Sequence, residues 1–440
     1  MDRTSAGQVH ETLARSILVD GFDFVYDLEK SHGSWLIDAR TGAEYLDAFS
    51  FFASGSLGHN HPALHDPAFQ DRLLLAALHK PSNSDVYTTL YADFVETFAG
   101  NAVPPEFPHL FFIEGGAPAV ENGLKTAFDW KVRKNIAAGW GERGSKVMHF
   151  TRAFHGRLGY TLSLTNTDDP RKYLYFPRFD WPRIPVPKMC FPLTPETLAE
   201  IETHEAAALE QMTEILDREG EDIASIIVEP IQGEGGDNHL RPEFLQAVRR
   251  LADEYDVMLL FDEIQTGMGL TGTWWAFQQL SVAPDIFVFG KKVQVCGIAV
   301  SRRVDEVPRN VFSESSRIAS TWGGNVVDMV RAQRIIEVIV QERLIDNARV
   351  MGDLLQGHLY SLAEHAPIDN IRGRGLMIAF DLPDRESRDK LLVRALEERL
   401  LVLPCGSRSI RLRPYLAVTE PEVTALVERL SAALGVRRAG

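Results

Sequence analysis

The pattern of apolar positions changes character twice along this 440-residue chain. Through the middle, short continuous apolar runs recur: HLFFIEGG (109–116), KVMHFT (146–151), ASIIVEP (224–230), VMLLFDE (257–263), DIFVFGKK (285–292) and GIAVS (297–301). Each has the length of a strand, is rich in β-branched or aromatic residues, and is bounded by Gly, Pro or charge. Helix-like segments such as Ala119 to Arg133 and Pro242 to Tyr255 separate several of them. Continuous apolar strands alternating with helices predict a mostly parallel sheet covered on both faces, an α/β core from about residue 75 to about residue 325.

The flanks follow another rhythm. GSWLIDARTGAEYLDAFS (33–50) alternates apolar and polar positions around a turn, as short strands do. After Asn325 a helical pattern runs through MVRAQRIIEVIVQERL (329–344) and continues to about residue 364. Strand-like GLMIAFDL (375–382), helical RDKLLVRALEERL (388–400), strand-like IRLRPYL (410–416) and a final helix from Glu420 follow. These features predict a large unit over 75–325 and a smaller α+β unit built from both chain ends, 1–74 and 326–440.

Charge narrows the classes of partner. Lys and Arg total 46 against 61 Asp and Glu, a formal charge of -15. That balance argues against nucleic acid or an anionic membrane as partner, while leaving room for a local cationic site. The three cysteines, Cys190, Cys296 and Cys405, are too far apart for a CxxC pair or a disulfide framework. The N-terminus lacks the apolar run of a signal peptide, and no apolar stretch approaches the ~18 residues of a membrane span. A cytoplasmic location is the expectation.

In open α/β sheets ligands bind beyond the carboxyl ends of strands, so those ends are the places to look for chemistry. Glu114-Gly115-Gly116-Ala117 leads from a strand into a helix, where free backbone N–H groups suit a phosphate. Asp262 and Glu263 end another strand, yet no GxxxxGK[ST] loop accompanies them, which argues against a nucleotide hydrolase. The GxGxxG of Gly267 to Gly272 is set back from its strand and lacks a well-placed acid, so it is weak support for a dinucleotide. Lys291 follows DIFVFG. A lysine in an apolar site can lose its proton and attack a carbonyl. Combined with Asp262, Gly115-Gly116 and Phe154, it matches what pyridoxal phosphate needs: an amine, a carboxylate for the ring nitrogen, a phosphate cradle and a stacking ring. His59, His61 and His155 have no further ligands at metal-site spacing, so no metal is expected.

Longer blocks sharpen this. LLFDEIQTGMGLTG followed by PDIFVFGKK resembles the signature of the class III (ω-type) pyridoxal-phosphate aminotransferases. LGHNHP, AFHGR, VEPIQGEGG, GRGLM and IRLRP are similar to other blocks of that family, so the resemblance covers nearly the whole chain. KPSNSDVY, EGGAPAVEN, FDWPRI, KKVQVCG, STWGGN and Leu270 resemble the branch acting on the terminal amine of L-lysine. Ala319 departs from that branch, which carries Asn there.

The resemblance implies the fold-type I architecture and a homodimer with shared active sites. It implies a reaction that moves the ε-amino group of L-lysine to 2-oxoglutarate, with ornithine, 4-aminobutyrate or 2,4-diaminobutyrate as alternative donors. It makes Lys291 the Schiff-base lysine and proton carrier, and Asp262 the partner of the pyridine nitrogen. Gln265 would reach the ring hydroxyl, and Phe154 would stack on the ring beside His155. Gly116 and Ala117 would hold the phosphate, joined by Thr321 from the second subunit. Arg157 would hold the lysine carboxylate and Arg411 the α-carboxylate of 2-oxoglutarate, with Glu234 neutralising Arg411 in the first half-reaction. Arg413 is left without a role.

Overall fold

A computed structural model describes residues 4–436. The six central apolar runs form strands of one seven-stranded sheet, joined by a short strand, Arg183–Ile184, that the apolar pattern does not single out. Across the sheet the order is His109–Ile113, Cys296–Val300, Ile286–Phe289, Met258–Asp262, Ile223–Val228, Lys146–Phe150 and Arg183–Ile184. Only Cys296–Val300 runs antiparallel to its neighbours; the remaining pairs are parallel. Ile223–Val228, Met258–Asp262 and Ile286–Phe289 are buried along their whole length, as strands covered on both faces must be.

Helix Gly116–Ala137 lies close on the sheet: a Cβ at Gly123 would stand 3.0 Å from Leu260 Cδ1. Helix Pro242–Glu254 follows its expected range closely. The 25-residue helix Pro195–Glu219 does not stand out in the apolar pattern, because its six buried residues are diluted by charged, polar and alanine positions. Its start is local chemistry, with Pro195 in the first turn and Thr194 Oγ1 accepting from the Thr197 amide at 3.2 Å.

The chain ends meet in a second region. Trp35–Ile37 pairs antiparallel with Glu44–Asp47, and Leu400–Leu401 pairs parallel with the latter. A four-stranded antiparallel sheet runs in the order Asp369–Arg374, Met377–Asp381, Ser409–Leu412, Leu403–Cys405. Two expected helices need correction. The helical run to residue 364 is two helices, Val326–Gln341 and Leu344–Ala363, broken at Arg343, whose φ of 54° is left-handed. The helix expected over 388–400 is Arg385–Glu397, begun by Asp384 capping Ser387 at 2.7 Å and ended by left-handed Arg399. Leu400 and Leu401 are thereby released to pair with the N-terminal strand, an interaction no local pattern encodes. No helix among the described residues is long and apolar enough to cross a membrane.

Candidate active site

Strand Met258–Asp262 delivers Asp262 to one wall of a cavity of about 370 Å³. Asp262 Oδ2 lies 2.9 Å from Nδ1 of buried His155, and its Oδ1 accepts from the Ile264 amide at 3.1 Å. The carboxylate is therefore held in one orientation. Glu263, the next residue, turns into the core and accepts from the Ala276 and Phe277 amides at 3.0 and 2.8 Å and from the Thr266 hydroxyl. Burial pushes Glu263 up to about 7. One acid of the pair faces the cavity and the other braces a loop.

Lys291 enters from the end of Ile286–Phe289, in the left-handed region at φ 49°. A non-glycine residue held there stores strain that its surroundings must maintain. Gln294 does so, donating its backbone N–H to Lys291 O at 2.8 Å and its side-chain amide to Ser54 O at 3.1 Å. Burial lowers the Lys291 ammonium to about 8, helped by Arg411 and opposed by Asp262. Its neighbour Lys292 points away and donates to Ala53 O at 2.7 Å.

The strand–helix turn predicted as a cradle places Gly116 and Ala117 on the cavity wall, in the first turn of a 22-residue helix. Gly156, at φ 126°, packs against Ala117 so closely that a Cβ would sit 2.5 Å from Ala117 Cβ. Phe154 and His155 precede it on the same wall. Glu229, which the sequence reading did not single out, fastens this loop: its carboxylate accepts from the Phe154 amide at 2.9 Å and the Gly233 amide at 3.1 Å. Burial pushes Glu229 up to about 7, with His155 opposing and Asp262 reinforcing. Its position one residue past strand Ile223–Val228 was the available signal.

Arg411 Nη2 and Glu234 Oε2 form an ion pair at 2.8 Å, and Arg411 Nη1 reaches Gln265 Oε1 at 3.4 Å. Arg411 Nε is buried without a protein partner among the described residues. Arg413, left without a role by the sequence, is fully buried and pairs with Asp237 at 2.5 Å while donating to Gln265 Oε1 at 3.1 Å. Lys172, also missed, bonds the other oxygen of Glu234. Arg157 is exposed at the rim, 5.9 Å from the Phe154 ring centroid. The structure thus gathers Gly116, Ala117, Phe154, His155, Arg157, Glu234, Asp262, Gln265 and Lys291 around one cavity, with Arg411 against Glu234 and Gln265. Thr321 is exposed and outside the cavity of its own chain, as is Ala319.

This donor set fits pyridoxal phosphate. It offers a buried amine of lowered basicity, a carboxylate oriented by a histidine, an aromatic face, and helix N-terminal amides unobstructed by large side chains. The Gly267 to Gly272 loop is a packing element instead: Gly267 abuts the Trp275 ring and Gly272 the Arg349 side chain. Among the described residues, no cluster of three or more His, Cys, Asp or Glu could hold a metal ion.

Comparison with known proteins agrees with the geometry. A family model described as aminotransferase class-III matches residues 19–434. The chain is 53% identical over 437 residues to a Mycobacterium tuberculosis protein named L-lysine-epsilon aminotransferase, covering 98% of this chain and 96% of that one. It is 52% identical over 436 residues to a protein of the same name from Amycolatopsis lactamdurans, with coverage of 98% and 96%. A solved structure of lysine aminotransferase from M. tuberculosis is similar with a TM-score of 0.96, 53% identity, and 98% and 100% of the two chains covered.

Proposed function

The chain belongs to the class-III aminotransferases, and we propose that it moves the ε-amino group of L-lysine to 2-oxoglutarate. The products of this ping-pong cycle are 2-aminoadipate 6-semialdehyde and L-glutamate. As a member of the family it is a pyridoxal-phosphate enzyme. When bound, the cofactor supplies an aldehyde for the amine and a ring that takes up the electron pair left by a departing carbon-bound proton. In this reading Lys291 is the residue that would hold the aldehyde, and its amine would serve as the proton carrier. A lysine lowered to about 8 is suited to both taking and returning it near neutral pH. Asp262, oriented by His155, would keep the ring nitrogen protonated, and Phe154 would cover the ring face. Gln265 would serve the ring hydroxyl. The amides of Gly116 and Ala117 would hold the phosphate, joined by the partner subunit's Thr321.

The lysine assignment is supported by the relatives named L-lysine-epsilon aminotransferase, and the pairing of a terminal amine with 2-oxoglutarate by the Arg411–Glu234 ion pair beside Lys291. Lysine presents a bare methylene and amine to the reacting centre, whereas 2-oxoglutarate presents a carboxylate next to its carbonyl. An arginine covered by a removable carboxylate serves both: Glu234 neutralises it for the first and withdraws for the second. Arg157, free at the rim, takes the distant lysine carboxylate. The same proposal makes the enzyme a cytoplasmic homodimer, in which a second subunit would cover some of the exposed apolar side chains such as Phe52, Leu74, Leu78 and Trp322. It divides the chain into a cofactor unit over 75–325 and a smaller unit from 1–74 and 326–440, supported by the pairing of Leu400–Leu401 with Glu44–Asp47.

The test mixes the purified enzyme with single amines and follows cofactor absorbance. Lysine should convert the cofactor faster than ornithine or 4-aminobutyrate, and Lys291→Ala should abolish conversion. Equal rates for the three amines would remove the lysine assignment.

A further inference from the structure

Glu234 is the wall between two cavities. On one side is the 370 Å³ cavity with Lys291 and Asp262; on the other is a cavity of about 420 Å³ lined by Lys172, Arg171, Asp168 and Arg388. Its two oxygens are divided accordingly. Oε2 pairs with Arg411 at 2.8 Å, and Oε1 bonds Lys172 Nζ. The backbone at this point is tethered, since Glu234 O accepts from the Gly406 amide at 3.0 Å.

Lys172 closes the short helix Pro170–Lys172, whose start Asp169 caps at 3.2 Å to the Arg171 amide. Its side chain is largely buried, at 13% exposure. Besides Glu234, its ammonium has Thr167 Oγ1 at 3.5 Å and the Phe154 ring centroid at 5.7 Å. Of the two acids nearest in sequence on this wall, Asp168 is engaged by Arg152 at 3.4 Å and Asp169 by Arg171 at 2.8 Å. Arg388 is committed to Asp389 and to Gly406 O. Arg385, the remaining cation lining this cavity, is exposed, and the ion pair that Glu234 makes on the outer side is with Lys172.

A part-buried carboxylate that leaves an arginine with no replacement cation pays a desolvation penalty that opposes the move. We propose that Lys172 is the positioning residue that receives Glu234 when a keto acid takes Arg411, drawing the carboxylate into the outer cavity. This rests on the reading of Glu234 given above. The ion pair with Lys172 survives the exchange, so the carboxylate is never left unpaired. Burial pushes the Glu234 carboxyl up, but Arg411 and Lys172 outweigh it and hold it below its ordinary range where it stands between them.

The experiment uses holoenzyme of Lys172→Met, Lys172→Arg, Glu234→Ala and the Lys172→Met/Glu234→Ala double variant. Single-turnover half-reactions with L-lysine and with 2-oxoglutarate are measured, and glutarate binding is followed by calorimetry. Lys172→Met should weaken 2-oxoglutarate and glutarate by about tenfold more than it weakens lysine. Lys172→Arg should restore most of that loss, and Lys172→Met should add nothing in the Glu234→Ala background. Equal loss in both half-reactions, or an undiminished Lys172→Met penalty when Glu234 is already gone, would overturn the proposal. Failure of the underlying reading looks different: Glu234→Ala alone would then impair both half-reactions equally, whatever Lys172 does.

Discussion

Arg411 and Arg413 sit two residues apart at the end of one strand, both buried and both paired with a carboxylate. Their partners differ. Asp237 is 1% exposed, and the Arg413 it faces is further bound to the Ile378 and Leu412 carbonyls and to Gln265. Glu234 is 27% exposed, borders two cavities, and shares itself between Arg411 and Lys172. Arg411 also keeps a buried Nε with no acceptor among the described residues. The same pair of residue types is thus enclosed in one place and bordered by open space in the other, as the proposed exchange of Glu234 requires. What separates them is room to move and a second cation, not intrinsic charge strength.

The largest effect expected from this contrast is on stability. Arg413→Met strands Asp237 in the interior and should destabilise the protein by about 3–5 kcal/mol, read by urea unfolding of the holoenzyme. A loss under ~1 kcal/mol would mean that Arg413 is not a brace. Arg411→Met should instead act on function. Glu234 retains Lys172, so stability changes little, while affinity for 2-oxoglutarate falls about 100-fold, roughly 3 kcal/mol. Steady-state KM values for the two substrates check this, and equal changes in both would erase the distinction.

A smaller effect concerns Lys291, which both arginines push toward the neutral amine, Arg411 more strongly. Below about pH 8 the free amine is protonated and cannot attack; above it the amine is neutral. Cofactor capture by the apo-protein should therefore speed up as pH rises and level off above about 8, as followed by absorbance. In Arg411→Met the midpoint should move upward, since a cation that disfavours the ammonium has gone. A downward shift would contradict the assignment. The smallest change is expected for Glu234→Gln, whose pair is partly exposed: unfolding free energy should move by no more than ~1 kcal/mol. A larger loss would make Glu234 a brace like Asp237.

Much of this was visible in the residues themselves. Six apolar runs became six strands of one sheet, and Lys291, Asp262 and Gly116 stand at or just past strand ends, because strand burial and glycine turns are written locally. Helix Pro195–Glu219 escaped because its six buried residues are diluted by charged, polar and alanine positions, and the break at Arg343 escaped because the apolar period continues past it. Glu229, Lys172 and Asp237 were not singled out, since each gains its meaning from a partner 62 to 176 residues away in the chain.

The division between the two sources is physical. Residue type and short-range spacing sufficed for the strands, the glycine turn and the family-like chemistry of Lys291 and Asp262, since these depend on groups within a few residues. IRLRP, however, presents two arginines at equivalent positions of a strand, with nothing local to tell them apart. Only the folded chain, by burying Asp237 against one and leaving Glu234 beside open space and Lys172 at the other, decided which arginine is enclosed and which borders the cavities where the proposed reaction would take place. Burial and charge compensation are sums over distant parts of the chain, and they come into being with the tertiary fold.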